Sequence, residues 1–166
     1  HRDLKPENVL YDDDRPLIAD LGLGKHVAGD AHLGLSRSLS ATGDVRGTIG
    51  YLAPECVRDS KHADARADVF SLGAILYECA TGAPAFHADA LLEVLARVAT
   101  GHFTPLRSLR PEVPEALART IERCLDGVPA RRFADGAALA RALRDAPRRE
   151  RRLEAAASRR RLALVV

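Results

Sequence analysis

Methionine is absent from this 166-residue sequence, and cysteine is scarce. Because translation ordinarily starts at methionine, we expect the sequence to be a fragment of a longer polypeptide. No run of eighteen apolar residues occurs, which excludes a complete membrane-spanning helix. The apolar fraction of 46% and the charged fraction of 29% are ordinary for a globular domain. A chain of this length can bury about 70% of its unfolded surface, so one domain with a sizeable core is predicted.

The three cysteines, Cys56, Cys79 and Cys124, are far apart and lie outside any C-x-x-C pair. An odd number with this spacing supports neither a disulfide framework nor a zinc site. We therefore predict reduced thiols in the core of a cytoplasmic protein, because disulfides are rare in that compartment.

The most distinctive stretch, HRDLKPENVL, spans residues 1–10. It places a carboxylate (Asp3), an ammonium group (Lys5) and a carboxamide (Asn8) at intervals of two and three residues, and Pro6 disfavours a regular helix. This spacing predicts a loop rather than one face of a helix. A base for a hydroxyl proton, a cation for a phosphate and an oxygen ligand for a hard metal are the groups that phosphoryl transfer requires.

A hairpin and a long loop are predicted next. Residues 9–11 and 17–19 are β-prone and are joined by the polar residues 12–16, which predicts a small β-hairpin. Residues 24–48 lack hydrophobic periodicity and are rich in glycine and hydroxyl side chains. A loop this long inside a compact domain is typically functional or disordered, and its position between two motif-rich stretches favours function.

Helices dominate the remainder. Residues 67–81 are apolar nearly all the way round and end at Gly82, as expected of a central helix. The helix that follows the central helix is predicted to end near Gly101, and the last helix is predicted to end at Pro147. Of the three later helices, the first and last are predicted to be capped by Asp89 and Asp135, and Pro114 is predicted to occupy the first turn of the helix between them. The predicted fold class is therefore mainly α with one short β-hairpin.

Four motifs occur in a fixed order. HRDLKPEN is followed by ADLG, whose aspartate lies seventeen residues after Asp3, by GTIGYLAPE at residues 47–55 and by DVFSLG at residues 68–73. In this order they resemble the motifs of eukaryotic-type (Hanks-type) serine/threonine protein kinases, with ADLG in place of the usual D-F-G. The resemblance implies a partial kinase domain over residues 1–146, the C-terminal lobe from the catalytic loop onward.

The resemblance also implies roles in phosphoryl transfer from ATP to serine or threonine hydroxyls of a protein substrate. Asp3 is similar to the catalytic base, and Lys5 matches the residue that steadies the transferring phosphate. Thr48 resembles the threonine that hydrogen-bonds near both of them in the serine/threonine branch. Together, Lys5 and Thr48 argue against a tyrosine kinase.

ATP and Mg²⁺, with Mn²⁺ as an alternative metal, are the cofactors that the resemblance implies. Asn8 and Asp20 match the two metal ligands of the family, and Mg²⁺ on nucleotide phosphates typically takes one or two protein oxygens. The residues expected on the nucleotide side of the site are Lys5, Asn8, Leu10 and Asp20. Leu21 replaces the usual phenylalanine and can still fill an apolar slot.

Three further residues resemble structural positions of the family. Glu55 and Arg132 are expected to form a buried ion pair between the end of the activation segment and the late helices, with two solvated charges as the alternative. Asp68 is expected at the head of the central helix, where it holds the backbone of the catalytic loop near His1 and Arg2.

Arg2 directly precedes the predicted base, an arrangement that the family commonly uses to bind a phosphate in the activation segment. A phosphate there would pair with this arginine and order the loop. The candidate regulatory phosphorylation sites are Ser36, Ser38, Ser40 and Thr42.

Several kinase motifs do not occur in the sequence: there is no G-x-G-x-x-G loop, no V-A-I-K lysine and no helix glutamate to pair with it. We therefore expect the N-terminal lobe of the same polypeptide to be a required partner, and the fragment alone to transfer no phosphate. The alternative from the binding class is a kinase-like scaffold, or pseudokinase. Asp3, Asn8 and Asp20 argue against it, because a scaffold does not need them together.

The tail, residues 147–166, contains seven arginines and two glutamates. Its formal charge is +5 in a chain whose total is +2, so residues 1–146 carry −3. The body gives no electrostatic reason to expect nucleic-acid binding. Residues 162–166 read LALVV, directly after three arginines, which predicts an anionic membrane partner at the cytoplasmic face and the start of a membrane helix. A solvated helical extension is the alternative, and about fifteen further apolar residues downstream would decide between them.

Overall fold

The computed structural model describes residues 1–20, 49–59 and 63–163. Within these ranges the chain is mainly helical with one two-stranded antiparallel sheet, which confirms the predicted fold class. Two single turns of 3₁₀-helix lie at Pro6–Asn8 and Pro129–Arg131. The regular elements in chain order are β1 (Val9–Asp12), β2 (Arg15–Ile18), α1 (Pro54–Asp59), α2 (Ala65–Thr81), α3 (Leu91–Thr100), α4 (Leu106–Leu109), α5 (Glu115–Cys124) and α6 (Gly136–Ala163).

The hairpin of β1 and β2 is tighter than the sequence predicted. Its register pairs Val9 with Ile18 and Asp12 with Arg15, so only two residues form the turn. The predicted five-residue turn is wrong for two physical reasons. Asp13 adopts a left-handed conformation with φ of 52°, which aspartate tolerates in a tight turn. In addition, Pro16 lies in β2, and an edge strand can accommodate a residue that has no N–H to donate.

Helix α2 ends where its sequence predicts, and it begins at Ala65, two residues before the predicted stretch 67–81. The carboxylate of Asp64 accepts a hydrogen bond from the backbone N–H of Arg66 at 2.8 Å, which caps the first turn. Gly82 ends the helix with φ of 79°, a left-handed conformation that glycine adopts without a steric penalty. One face of α2 is fully buried, and its largest side chains are Phe70 and Tyr77.

Gly73 allows α2 and α5 to approach closely. A Cβ added at Gly73 would lie 2.4 Å from the Cβ of Cys124, closer than carbon atoms can pack. Glycine inside a helix lowers stability by about 1 kcal/mol relative to alanine. At Gly73 this loss is accepted because any larger residue would prevent the close contact of the two helices. Around it, Val69 and Cys124 pack with Phe133 and Leu139 in a cluster that joins α2, α5 and α6.

The three thiols differ in environment. Cys124 is fully buried, Cys56 is half-buried and Cys79 is exposed. The prediction of a core thiol is wrong for Cys79, which lies about 120° around α2 from Gly73 and so points away from the contact with α5. Burial raises the pKa of the Cys124 thiol to about 12 and that of the Cys56 thiol to about 11. Both thiols therefore stay protonated and unreactive at neutral pH.

The starts of the later helices test two predicted caps and the predicted position of Pro114. Asp135 does cap α6, because its carboxylate accepts the backbone N–H of Ala138 at 2.7 Å. Pro114 immediately precedes α5 as its N-cap residue. Asp89 is not a cap: α3 begins at Leu91 after Ala90, and no side chain caps it. The amphipathic face of α3 starts at Leu91, so burial of that face, not a cap, sets its first residue.

Helix α6 continues through Pro147 to Ala163, so the predicted end at Pro147 is wrong. A proline removes one N–H from the helix and need not break it when the following turn gains contacts. Here the carboxylate of Glu150 accepts the backbone N–H of Ala116 at 2.7 Å and satisfies the uncapped start of α5. That hydrogen bond lowers the pKa of Glu150. Among the described helices, none combines the length and the hydropathy of a membrane span.

Candidate active site

The opening loop is folded around Asn8, which is buried although it is polar. Its side-chain amide donates a hydrogen bond to the carbonyl of Asp3 at 2.7 Å and lies 3.4 Å from the Asp3 carboxylate. Its backbone N–H donates to the carbonyl of Lys5 at 3.0 Å and closes the turn at Pro6–Asn8. Asn8 therefore fixes the backbone on both sides of Lys5, and its Oδ1 is left as an acceptor.

Asp68, in the first turn of α2, binds the backbone of the same loop through its carboxylate. One carboxylate oxygen accepts the backbone N–H of Arg2 at 2.8 Å, and the other lies 2.9 Å from the main-chain nitrogen of His1. Arg2 has φ of 69°, a left-handed conformation that costs a non-glycine residue about 1–2 kcal/mol. The charge-assisted hydrogen bonds of Asp68 offset this cost and hold the turn that presents Asp3.

His1 and Ala19 connect the loop to the end of the hairpin. The imidazole Nε2 of His1 lies 2.8 Å from the carbonyl of Ala19, and the N–H of Ala19 donates to the carbonyl of Asn8 at 2.9 Å. Because a carbonyl only accepts, Nε2 of His1 carries a proton, and this ring acts in packing rather than as a base. These bonds place Asp20, the next residue, beside the loop, where it adopts φ of 61°.

Asp3 presents its carboxylate outward from the loop, and the partly buried Lys5 lies beside it. Lys5 Nζ lies 3.9 Å from Asp3 Oδ2, and the Asp3 side chain is 57% exposed. A small cleft separates these residues from Tyr51 and Leu52, which follow the GTIG motif. The arrangement can bind a hydroxyl group at the carboxylate and an anion at the ammonium group in one place.

Tyr51 forms the opposite wall of that cleft. Its carbonyl accepts a hydrogen bond from the hydroxyl of Ser71 at 2.7 Å, and its own hydroxyl donates to the carboxylate of Glu78. Burial raises the pKa of Tyr51, and the negative charges of Glu78 and Glu7 raise it further, so this tyrosine stays neutral. The carboxylate of Glu78 therefore lies against the hydroxyl of Tyr51.

Glu55 and Arg132 lie in one bidentate ion pair, with nitrogen–oxygen distances of 2.7 and 3.0 Å. Arg132 is 2% exposed and donates two further hydrogen bonds, to the carbonyls of Asp126 at 2.7 Å and of Arg66 at 3.0 Å. Its guanidinium also lies 4.8 Å from the centre of the Phe70 ring. One side chain thereby joins α1, the start of α2 and the segment before α6.

A family comparison agrees with this geometry: the family model of the protein kinase domain matches residues 1–143. The chain belongs to the protein kinase family. Its mainly helical structure with one hairpin is that of a partial kinase C-terminal lobe.

Three bacterial kinases are among the curated relatives of this chain. The serine/threonine-protein kinase PknL of Mycobacterium tuberculosis is 39% identical over 130 residues, which are 78% of this chain and 27% of PknL. The DNA damage-responsive serine/threonine-protein kinase RqkA of Deinococcus radiodurans is 41% identical over 141 residues, 84% of this chain and 20% of RqkA. PknE of M. tuberculosis is 34% identical over 134 residues, 80% of this chain and 22% of PknE. The chain thus spans about a quarter or less of these relatives.

The described residues hold only part of the predicted kinase site. Leu10 lies in β1 and is exposed, on the hairpin that leads to Asp20. Within residues 1–20, 49–59 and 63–163, no group of three or more His, Cys, Asp or Glu side chains is arranged to hold a metal. The predicted site residues that lie outside the described ranges are Leu21, Ser36, Ser38, Ser40, Thr42 and Thr48.

Sequence reasoning missed Ser71 and Glu78, the two residues of α2 that hold Tyr51. Both lie on one side of the helix, seven residues or two turns apart, and Ser71 is the serine of the DVFSLG motif. A buried serine in an otherwise apolar helix is the available signal, because such a hydroxyl needs an acceptor. Glu78 carries no comparable signal in the sequence.

Replacing Arg132 by alanine is expected to lower the free energy of unfolding by about 3–5 kcal/mol, because Glu55 would keep its charge without its partner. Urea denaturation of the purified chain measures the change.

Arg131→Ala is the matched control. The Arg131 side chain is 71% exposed and lies 4.0 Å from Asp126, so its loss should change stability by no more than about 0.5 kcal/mol. Equal stability of the two variants would contradict a structural role for the buried pair.

Proposed function

We propose that this chain is the catalytic C-terminal lobe of a protein kinase that transfers a phosphoryl group from ATP to serine and threonine hydroxyls of protein substrates. The observation that supports it best is the loop geometry: Asp3 and Lys5 lie together on a backbone fixed by Asn8 and Asp68. Packing alone does not require an exposed carboxylate with a lysine beside it at this place.

Asp3 is the proposed base. Its carboxylate is exposed toward the cleft and close enough to Lys5 to orient a hydroxyl group between itself and a phosphate. The carboxylate accepts the hydroxyl proton as the hydroxyl oxygen bonds to the γ-phosphorus of ATP, and the bond from that phosphorus to the bridging oxygen breaks to release ADP. Lys5 Nζ, 3.9 Å away, stabilises the negative charge on the transferring group.

Asn8 and Asp20 are the proposed metal ligands, and their chemistry fits Mg²⁺. The Asn8 amide already donates to Asp3, which orients its Oδ1 as the remaining donor atom for a hard cation. The backbone bonds of Ala19 hold the main chain beside the loop directly before Asp20, which supports the Asp20 carboxylate as the second ligand. When bound, Mg²⁺ neutralises charge on the nucleotide phosphates. Leu10, on β1 between these two ligands in sequence, offers an apolar side chain on the nucleotide side.

Preference for serine and threonine acceptors is supported by Lys5 and Thr48 and by the relatives, whose names describe serine/threonine kinases. The acceptor peptide is proposed to lie along the cleft wall formed by Tyr51 and Leu52. The carboxylates of Glu7 and Glu78 near that wall favour a peptide with a basic residue close to the acceptor.

Asp3→Asn is expected to reduce phosphate transfer to a serine peptide at least a hundredfold in the full-length polypeptide that carries this segment, because the amide accepts no proton. Transfer of labelled phosphate from MgATP measures the rate.

Asp14→Asn, the same change in the exposed hairpin turn, should leave the rate within twofold. A full-length protein that binds its partners with no transfer, or with equal transfer in wild type and Asp3→Asn, would contradict the proposal and favour the kinase-like scaffold instead.

Glu7→Gln is expected to reduce the preference for an acceptor peptide with upstream arginine over its alanine analogue about tenfold, since a charge-assisted hydrogen bond contributes about 1.5 kcal/mol. The measurement is the ratio of kcat/KM values for the two peptides.

Glu112→Gln provides the control, because Glu112 is an exposed glutamate before α5 that pairs only with Arg110 at 3.7 Å. The peptide ratio should not change in this variant. An unchanged ratio in Glu7→Gln would mean that Glu7 is a solvent-exposed surface residue with no role in recognising the peptide.

A further inference from the structure

A cavity of about 540 Å³ lies at the end of α2 remote from the catalytic loop. Tyr77 lines it, and nine residues, or about 13 Å of helix, separate Tyr77 from Asp68. Three stretches of chain surround it: the end of α2 with residues 83–87, Arg97 on α3, and residues 102–109. The catalytic-loop residues do not contribute to its lining, so the cavity is a separate site.

The floor of this cavity is aromatic. Tyr77 is 1% exposed, and its hydroxyl donates to the carbonyl of Thr104 at 2.7 Å, so its ring lies beneath the floor and supports it. Phe103 packs edge-on against Tyr77, with ring centres 5.8 Å apart. Pro84 and Leu109 add apolar walls. An apolar group of a ligand can be buried there.

The rim of the cavity carries one arginine. Arg97 donates to the carbonyl of His87 and to the carboxylate of Glu93, both at 2.6 Å, which leaves further guanidinium N–H groups as donors. The imidazoles of His87 and His102 stand exposed at the same rim. The lining itself contains no carboxylate side chain. The polar groups here are thus mainly hydrogen-bond donors.

We propose that this cavity binds a small amphipathic carboxylate, a molecule with an apolar body on Phe103 and Leu109 and an anionic group at Arg97. A small molecule fits better than an extended peptide, because the cavity is enclosed by chain on three sides and its volume is in the range of small-ligand sites. The Arg97 guanidinium supplies a planar fork that matches a carboxylate. The site is independent of the proposed phosphate transfer.

The test uses the whole 166-residue chain and three probes: 4-phenylbutyrate, 4-phenylbutylamine and acetate. Titration followed by amide chemical shifts should give 4-phenylbutyrate a dissociation constant below about 1 mM, as expected for its size. The shifts should centre on Phe103 and Thr104. The amine and acetate should bind at least tenfold more weakly, because each lacks one of the two features that the cavity recognises.

Two variants locate the site. Leu109→Glu adds a carboxylate at the rim and should weaken 4-phenylbutyrate at least tenfold, whereas Leu92→Glu, the same change at an exposed leucine of α3, should not. Arg97→Gln should remove the preference for the acid over the amine. Equal binding of acid and amine, no saturable binding, or an unchanged affinity in Leu109→Glu would each overturn the proposal.

Discussion

The buried guanidinium of Arg132 is the interaction on which the described structure depends most. A charge with no exposed surface is costly unless every partner is in place. Here four hydrogen bonds to Glu55, Asp126 and Arg66, and the face of Phe70, compensate the guanidinium. Because these partners come from α1, α2 and the segment before α6, each element is positioned relative to the others by one side chain.

The proposed catalytic geometry follows from that anchor through α2. The helix carries Asp68 near its start, and Asp68 holds Arg2 in a left-handed conformation that the loop would not keep by itself. The same helix carries Ser71 and Glu78, which hold the opposite wall of the cleft through Tyr51. Helix α2 therefore supports both the strained catalytic loop and the opposite wall of the cleft. Through the loop it also positions the pair of Asp3 and Lys5.

Local signals in the sequence predicted the fold best where one residue decides the outcome. Gly82 ends α2 and Asp135 caps α6, because each acts through its own conformation or side chain. The predicted end at Pro147 was wrong because Glu150 docks on α5, a contact between residues distant in sequence. In the site, the order of the motifs predicted Asp3 and Lys5 as neighbours. The contact of Glu78 with Tyr51 depends instead on which face of α2 is turned toward Tyr51, and no motif in the sequence specifies that face.

A double-mutant cycle with Glu55→Leu and Arg132→Met tests the central role of the buried pair most directly. If the two side chains stabilise the fold through each other, the double variant loses less free energy of unfolding than the sum of the single variants, with a coupling of about 2 kcal/mol or more. Losses that add within about 0.5 kcal/mol would contradict this account, because they would mean that each residue acts alone.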